Sequence, residues 1–471
     1  MARLKPLDAS WLYVESGNTP MHVAGLYIFS LPKDARPDFL RHLVTRMKSV
    51  RNFQPPWNLR LRNSLLRGIL PEWERDDHLD LDYHVRHSAL PAPGGERELG
   101  VLVSRLHSHP LDFTRPLWEC HVIEGLENDR FGLYIKLHHS LIDGVGSVRM
   151  TLRSMSTSPE GKLIPPWTVG ARANRPAKDK DKEKEKDKEP SAAPLTDLLE
   201  QLKAQASMLP RVGTALAEIW RGDEDDAALV APFSAPMSVL NERITSQRRF
   251  ATQQYEMPRL RALADATDVT VNDVVLGICA GALRRFLREH GELPKETLTA
   301  GLPVSLRGKG DDQLGTAISF ILADLDTTCA DPLKRLATIH ASTSRAKQHL
   351  MSLPKAALNN YTMLFMAPYI VGMLVGAAGR MRPMFNLAIS NVPGPPKTLY
   401  FDGAKLEALY PVSVLQHGQA LNITCISYAG TLNFGFTGSR DLLPHMQRLA
   451  VYTGEALDEL EAAVKKRAAA K

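Results

Sequence analysis

What the sequence has little of narrows it first. Only four cysteines, Cys120, Cys279, Cys329 and Cys425, occur in 471 residues, and no two are close enough for a CxxC pair. That spacing argues against a zinc knuckle, a dithiol redox motif and a disulfide framework, and it points to a reducing cytoplasm. The first residues, Met1-Ala2-Arg3-Leu4-Lys5-Pro6, hold no apolar run, so no secretory signal is expected. Residues 36–51 are too charged to cross a bilayer. No recognised nucleic-acid module is found. The net charge of +6, with a pI near 9.0, therefore reads as an affinity for polyanionic cofactors or anionic lipid surfaces.

What is present suits a globular chain. At 44% hydrophobic and 23% charged residues, there is apolar material for two large cores. One segment interrupts the pattern. Residues 178–189 alternate strictly between lysine and an acid, flanked by Pro176 and Pro190. The run is neutral overall and has nothing apolar to bury, so it is expected to be a solvated linker. The domain boundaries follow: 1–170, then 171–235 as charged linker and connecting helix (195–220), then 236–471. Hydrophobic spacing predicts strands over 23–31, 79–85, 118–123, 131–137, 298–304, 318–325, 421–428 and 431–437. It predicts helices over 39–47, 96–108, 259–266, 271–290, 332–351 and 442–464, with Thr270 and Asp273 spaced as a capping box. The fold class is α/β (α+β). Residues 356–379 carry no charge, but Asn359, Asn360, Pro368 and several glycines interrupt them. A buried or membrane-surface helical pair is expected there rather than a span.

The chemistry concentrates in His138-His139-Ser140-Leu141-Ile142-Asp143-Gly144. In the strand before it, Phe131, Leu133, Ile135 and Leu137 share one face, and Gly132, Tyr134 and Lys136 the other. If that parity persists, His139 continues the apolar, inward face and His138 points away, so the two rings cannot serve one atom. After Gly144 the spacing of Val145, Val148, Leu152 and Met155 turns helical, and Gly144 and Gly146 leave room for close approach. A histidine on such a turn, titrating near neutrality, can take a proton from a hydroxyl. A structural histidine and a metal-binding His-His-x-x-x-Asp cluster stay open on the residues alone. The opposed parity argues against chelation, and no metal site is expected.

The same run matches the HHxxxDG motif of the coenzyme A-dependent acyltransferase superfamily. That superfamily includes chloramphenicol acetyltransferases and the condensation domains of peptide synthetases. Companion runs narrow the resemblance: Leu7-Asp8, Pro20-Met21-His22-Val23, Pro116-Leu117-Trp118, Asn272-Asp273, Pro303-Val304-Ser305-Leu306-Arg307 and Ser390-Asn391-Val392-Pro393-Gly394-Pro395. In this order the series resembles the bacterial wax ester synthase/diacylglycerol acyltransferase family along nearly the whole chain. The resemblance implies two chloramphenicol-acetyltransferase-like domains with an active-site tunnel between them. It implies acyl-CoA as co-substrate, no permanently bound cofactor, and a fatty alcohol or diacylglycerol as acceptor. His139 would be the general base and Asn272 an oxyanion donor, with helix capping as the bland alternative for Asn272. His138, Asp143 and Gly144 would be structural, Asp143 holding the turn through a cation such as Arg307. Trp118, Ser390 and Asn391 would line the substrate site, or serve as core and turn. Peripheral association with the inner membrane or lipid inclusions is expected. A condensation-type enzyme using carrier-bound substrates and a non-catalytic lipid-droplet protein are the competing classes.

Deleting residues 178–189 is expected to leave specific activity within about twofold of wild type, because a solvated run can be shortened at little entropic cost. A large loss in a protein with an unchanged melting temperature overturns the linker reading.

Overall fold

A computed structural model describes residues 2–4, 6–62, 71–170, 214, 216, 219, 228–305, 318–354 and 357–470. In chain order they form β1 (Ala2–Arg3), α1 (Pro6–Val14), β2 (His22–Ser30), α2 (Phe39–Ser49), β3 (Leu59–Leu61), β4 (Glu72–Arg75), α3 (Leu81–His84), β5 (Val85–Ala89), α4 (Glu96–Ser108), β6 (Trp118–Leu126), β7 (Arg130–His138) and α5 (Gly144–Leu152). There follow β8 (Arg248–Glu256), α6 (Met257–Thr267), α7 (Val271–Glu289), β9 (Thr299–Ser305), β10 (Ile318–Asp324), α8 (Pro332–Met351), α9 (Leu358–Leu374), β11 (Leu387–Val392), β12 (Tyr400–Phe401), β13 (Ala404–Val412), β14 (Leu421–Tyr428), β15 (Thr431–Ser439) and α10 (Arg448–Ala469). The charged run 178–189, all but three residues of the expected helix 195–220, and Arg307 lie outside the described residues.

Two six-stranded mixed sheets carry the architecture. One has the order β12-β13-β2-β7-β6-β5, the other β10-β9-β11-β14-β15-β8. The first is not built from N-terminal residues alone: β13, from late in the chain, pairs antiparallel with β2, Val412 opposite Ala24 and Lys405 opposite Ser30. β7 is therefore a central strand, between β2 and β6. Its odd face packs in a core with Tyr27, Trp118 and Val122, and Tyr134 of its even face in another with Leu26, Leu102 and Phe250. Both faces are buried, which removes the inward-outward contrast that alternation suggested.

The two sheets are joined closely. Gly435 of β15 lies so near β13 that a Cβ there would sit 1.8 Å from the Pro411 carbonyl oxygen, so no side chain fits. On α4, Gly100, Ser104 and Ser108 recur every fourth residue and present one small-residue stripe to β8. Ser104 Oγ accepts the Phe250 N–H at 2.9 Å and Ser108 Oγ accepts the Arg248 N–H at 2.9 Å. Two amides on the edge of the second sheet are thus satisfied by hydroxyls from the first half, which blunts an edge that would otherwise pair or aggregate. The C-terminal end of α4 is pinned in turn by Lys136 of β7. At 0% exposure, its ammonium donates to the carbonyls of Leu106 and His109 and pairs with Glu119 at 3.1 Å.

Some expectations need correction. The alternation over 79–85 reads as a strand, but Asp80 accepts from the Asp82 and Tyr83 amides and caps the short helix α3; the strand starts only at Val85. The uncharged stretch forms one helix, α9, not a pair, and Pro368 lies inside it without ending it. The closing helix starts at Arg448 rather than 442. The hairpin β14–β15 turns at Ala429-Gly430 with both φ positive, 44° and 91°. The Thr270–Asp273 capping box of α7 is formed.

Ser104→Ala and Ser108→Ala each leave a buried amide without a partner, at about 1–3 kcal/mol apiece. The double variant should unfold well below wild type in a thermal or denaturant scan. A midpoint equal to wild type would mean that water replaces the hydroxyls and that the stripe is no joint.

Candidate active site

The end of β7 is held on both sides before any side chain acts. The His138 N–H donates to the Leu117 carbonyl at 3.0 Å and the His139 N–H to the Met21 carbonyl at 2.8 Å. The chain then turns, with the Leu141 amide on the His138 carbonyl at 3.0 Å. His138 is fully buried. Its Nδ1 accepts from the Ser140 backbone N–H at 3.1 Å, so Nδ1 is the unprotonated nitrogen, and Nε2–H donates to the Glu15 carboxylate. The Ser140 hydroxyl lies 2.6 Å from the same Nδ1. Both nitrogens of His138 are thus committed, and its ring meets the Phe113 edge. These contacts fix the ring in place.

His139 lies one residue past the strand and is only partly buried. Its ring stacks on the Trp11 indole with centroids 4.0 Å apart. Trp11 and Glu15 stand four residues apart, so a single face of α1 and its extension meets both histidines. Nδ1 of His139 is buried, turned toward its own backbone carbonyl, and makes no well-formed hydrogen bond to another group among the described residues. Burial pushes the ring down to about 4, the Asp143 charge pulling the other way. The direction is thus downward from the ordinary histidine value rather than toward neutrality.

Asp143 acts through the backbone. It is the N-cap of α5, its carboxylate accepting the Gly146 N–H at 2.6 Å. That contact holds the turn among the described residues; Arg307, the expected partner, lies outside them. Gly144 opens α5 with nothing within 4 Å of where a Cβ would stand, whereas a Cβ on Gly146 would meet the Ile142 side chain at 2.8 Å. The tight approach at Gly146 is thus by the turn's own residue.

Of the other sequence candidates, Trp118 is corrected. It has no exposed surface, its indole N–H donates to the Trp57 carbonyl at 2.7 Å, and it packs against His84, Trp57 and Trp167. It is a core aromatic. Asn272 is the second residue of α7 and does not cap it. Thr270 caps, and Asp273 closes the box while also binding His340 at 2.8 Å and Thr343 at 2.7 Å. Asp273 thereby ties α7 to α8, and the half-buried Asn272 amide lies outside that tie. Ser390 is half-buried on β11, its carbonyl accepting the Cys425 thiol at 3.3 Å; Asn391 is exposed. No three His, Cys, Asp or Glu side chains are grouped for a metal among the described residues. Glu15 and Trp11 are the residues that sequence reasoning missed. Their i, i+4 spacing was visible, but nothing local links them to a motif more than 120 residues later.

Two family models match the chain: wax ester synthase/diacylglycerol acyltransferase catalytic domain over residues 4–275, and WS/DGAT C-terminal domain over 314–461. It is similar to a putative diacylglycerol O-acyltransferase of Mycobacterium tuberculosis, 48% identical with 98% of this chain and 97% of that protein covered. O-acyltransferase WSD of Acinetobacter baylyi is 38% identical, with 99% and 98% covered. Among solved structures, the wax ester synthase/diacylglycerol acyltransferase from Marinobacter aquaeolei superposes with a TM-score of 0.76 at 37% identity, covering 98% of this chain and 100% of that one. The starter condensation domain of a rhizomide synthetase, solved in complex with C8-CoA, shares the fold at 15% identity and a TM-score of 0.55, with 98% and 95% covered.

With its pKa depressed to about 4, the free His139 ring stays neutral until the pH falls through that value. The acid limb of kcat/KM should therefore lie below pH 5, in short assays checked by return to neutral pH. Asp143→Asn keeps an N-cap oxygen and removes the charge that raises the ring, so the limb should move lower still with little loss of stability. An apparent pKa between 6 and 7 in the wild type would mean that burial of Nδ1 does not lower the ring.

Proposed function

The chain belongs to the wax ester synthase/diacylglycerol acyltransferase family and is an O-acyltransferase. From that premise we propose that it moves a long-chain acyl group from acyl-CoA to a fatty alcohol or diacylglycerol, with His139 as general base and no acyl-enzyme. The observation that carries the proposal is the contrast between the two motif rings. Both nitrogens of His138 are occupied, whereas among the described residues neither ring nitrogen of His139 is bonded to another residue, which leaves Nε2 as the proposed proton acceptor.

The depressed basicity shapes the chemistry. A ring of pKa about 4 is uncharged at neutral pH and ready to accept, but it cannot strip an alcohol in advance. Proton transfer to Nε2 therefore accompanies attack of the hydroxyl oxygen on the thioester carbonyl carbon. The C–S bond then breaks, and the thiolate takes the proton back from the imidazolium. Since an ordinary thiol has a pKa of about 8.5, that return is strongly downhill. The products are the ester and the free CoA thiol, and the ring is restored.

The negative charge that gathers on the carbonyl oxygen needs a fixed donor, and Asn272 is the proposed one, since its amide lies outside the capping box. Ser390 and Asn391 are proposed for the substrate wall. Acyl-CoA and acceptor are proposed to reach His139 from opposite sides, through a tunnel between halves 1–170 and 236–471 joined by 171–235. A cytoplasmic location at the surface of the inner membrane or of lipid inclusions belongs to the same proposal.

His139→Ala should lower ester formation from palmitoyl-CoA and hexadecanol by about 10²–10⁴-fold while the protein stays folded. Asn272→Ala should cost about 10²–10³-fold in kcat. His138→Ala should lower the melting temperature more than the turnover per folded molecule. Wild-type turnover in folded His139→Ala removes the mechanism. An equal loss at His138 without destabilisation removes the division of roles.

A further inference from the structure

One helix has a face that the fold does not use. α9 is apolar on every side, yet only one side is packed. Leu358, Tyr361 and Phe365, spaced by three and four, are buried in the core of the second half. Met363, Leu364, Val371, Leu374 and Val375 stand in solvent, from 46% exposed at Leu364 to 72% at Val375, and exposed Pro368 continues the row. Leu364, Pro368, Val371 and Val375 follow a spacing of four, three and four, so they line one face. A helix that is hydrophobic all round is ordinarily buried all round, and a contiguous apolar face of this kind marks an interaction site.

Charge says what covers it. No aspartate or glutamate occurs between Asp331 and Asp402, while Arg345, Lys347, Lys355, Arg380 and Arg382 flank the helix in sequence. At its C-terminal end the exposed Arg243 donates to the carbonyls of Gly376 and Ala378 at 3.3 Å, and exposed Arg380 and Met381 follow. Arg382 pairs with Glu296. An apolar face with a cationic rim is the pattern of a helix that lies in the plane of an anionic lipid surface. Among the described residues no single helix is long and apolar enough to span a membrane. The position of α9 matters as much as its composition. It contacts α1, the helix whose Trp11 stacks on His139.

We propose that the exposed face of α9, with Arg243 and Arg380 at its rim, docks the protein flat on an anionic lipid bilayer, and that a lipid acceptor passes along α9 and α1 to His139. The docking half of the proposal rests on α9 alone; the delivery half rests on His139 as the base.

The test is sedimentation with vesicles of phosphatidylglycerol and phosphatidylcholine. Wild type should bind them, and less so in pure phosphatidylcholine or at high salt. Leu364→Glu with Val371→Glu replaces two exposed side chains, so the fold should persist by its melting temperature. Binding should fall on the order of a hundredfold. The ratio of turnover on vesicle-borne hexadecanol to turnover on dissolved hexanol should fall about tenfold with it. Arg380→Glu should weaken binding several-fold. His139→Ala should bind vesicles like wild type. If it does so but keeps its turnover, the base is misassigned and docking stands. If the double variant still sediments as wild type, docking is wrong. If wild type instead forms dimers that the double variant abolishes, with vesicle binding unchanged, the face belongs to a second copy and the proposal fails.

Discussion

The fixed end of β7 is the constraint on which the site depends. Backbone bonds to Leu117 and Met21 hold it between two neighbouring strands, and the His138 side chain adds bonds to Ser140 and Glu15. With the strand end tied in this way, the next residue has little freedom. His139 takes its position from those bonds, the Trp11 ring and the turn that Asp143 caps. The paired histidines thus differ: one ring is bonded at both nitrogens, and the next is placed beside it with no hydrogen bond from Nδ1 to another group among the described residues. A base is useful only if a nitrogen is free where the substrate arrives, and freedom of that kind needs rigidity next door.

The same strand couples the two halves. Lys136, two residues before His138, pins the end of α4, and α4 closes the edge of the second sheet through Ser104 and Ser108. β13 runs the other way, from late sequence into the first sheet, and Gly435 lets β15 pass against it. Burying Lys136 and Glu119 is costly, and their mutual pairing, His121, Arg86 and the Leu106 and His109 carbonyls offset it. Burial pushes Glu119 up, but the His121 hydrogen bond and the Lys136 and Arg86 charges outweigh that and hold the carboxyl at about 2. A pair this buried fixes geometry more than it adds stability. Here it fixes how α4, and through it the second sheet, sits against the strand that bears the motif.

Much of this was legible in the sequence, and the gaps have physical causes. Strands and helices with strong local periodicity, such as β7, α4 and α8, appear where alternation and 3.6-residue spacing put them. α3 was misread because one capping carboxylate at Asp80 outweighs alternation over a few residues. β8 and β13 were not foreseen because their neighbours decide them. β8 carries mixed polar residues, pairs with β15 and finds partners for two further amides on α4, and β13 holds Pro411 and pairs with a strand about 380 residues earlier. At the site, the motif and its helix turn were local and readable. Trp11 and Glu15 were not, since no pattern within α1 says which distant ring it will meet. Alternation along β7 was real, but it separates two buried faces rather than core from solvent, so parity alone could not rank the histidines. Their partners rank them.

The low basicity of His139 ties the chemistry to the packing. Burial lowers the ring, with the Asp143 charge opposing it, and a lowered ring is a poor base toward an isolated alcohol. In a reaction that borrows one proton and returns it to a thiolate, that weakness has a use. In the proposed reaction the imidazolium is a strong acid beside a leaving group that needs a proton, so the ring is cleared in the same encounter. A ring of ordinary basicity would take the proton more readily and give it up less readily. The packing that places His139, with Trp11 stacked on it, is also the packing that lowers the ring, so position and base strength are two results of one arrangement.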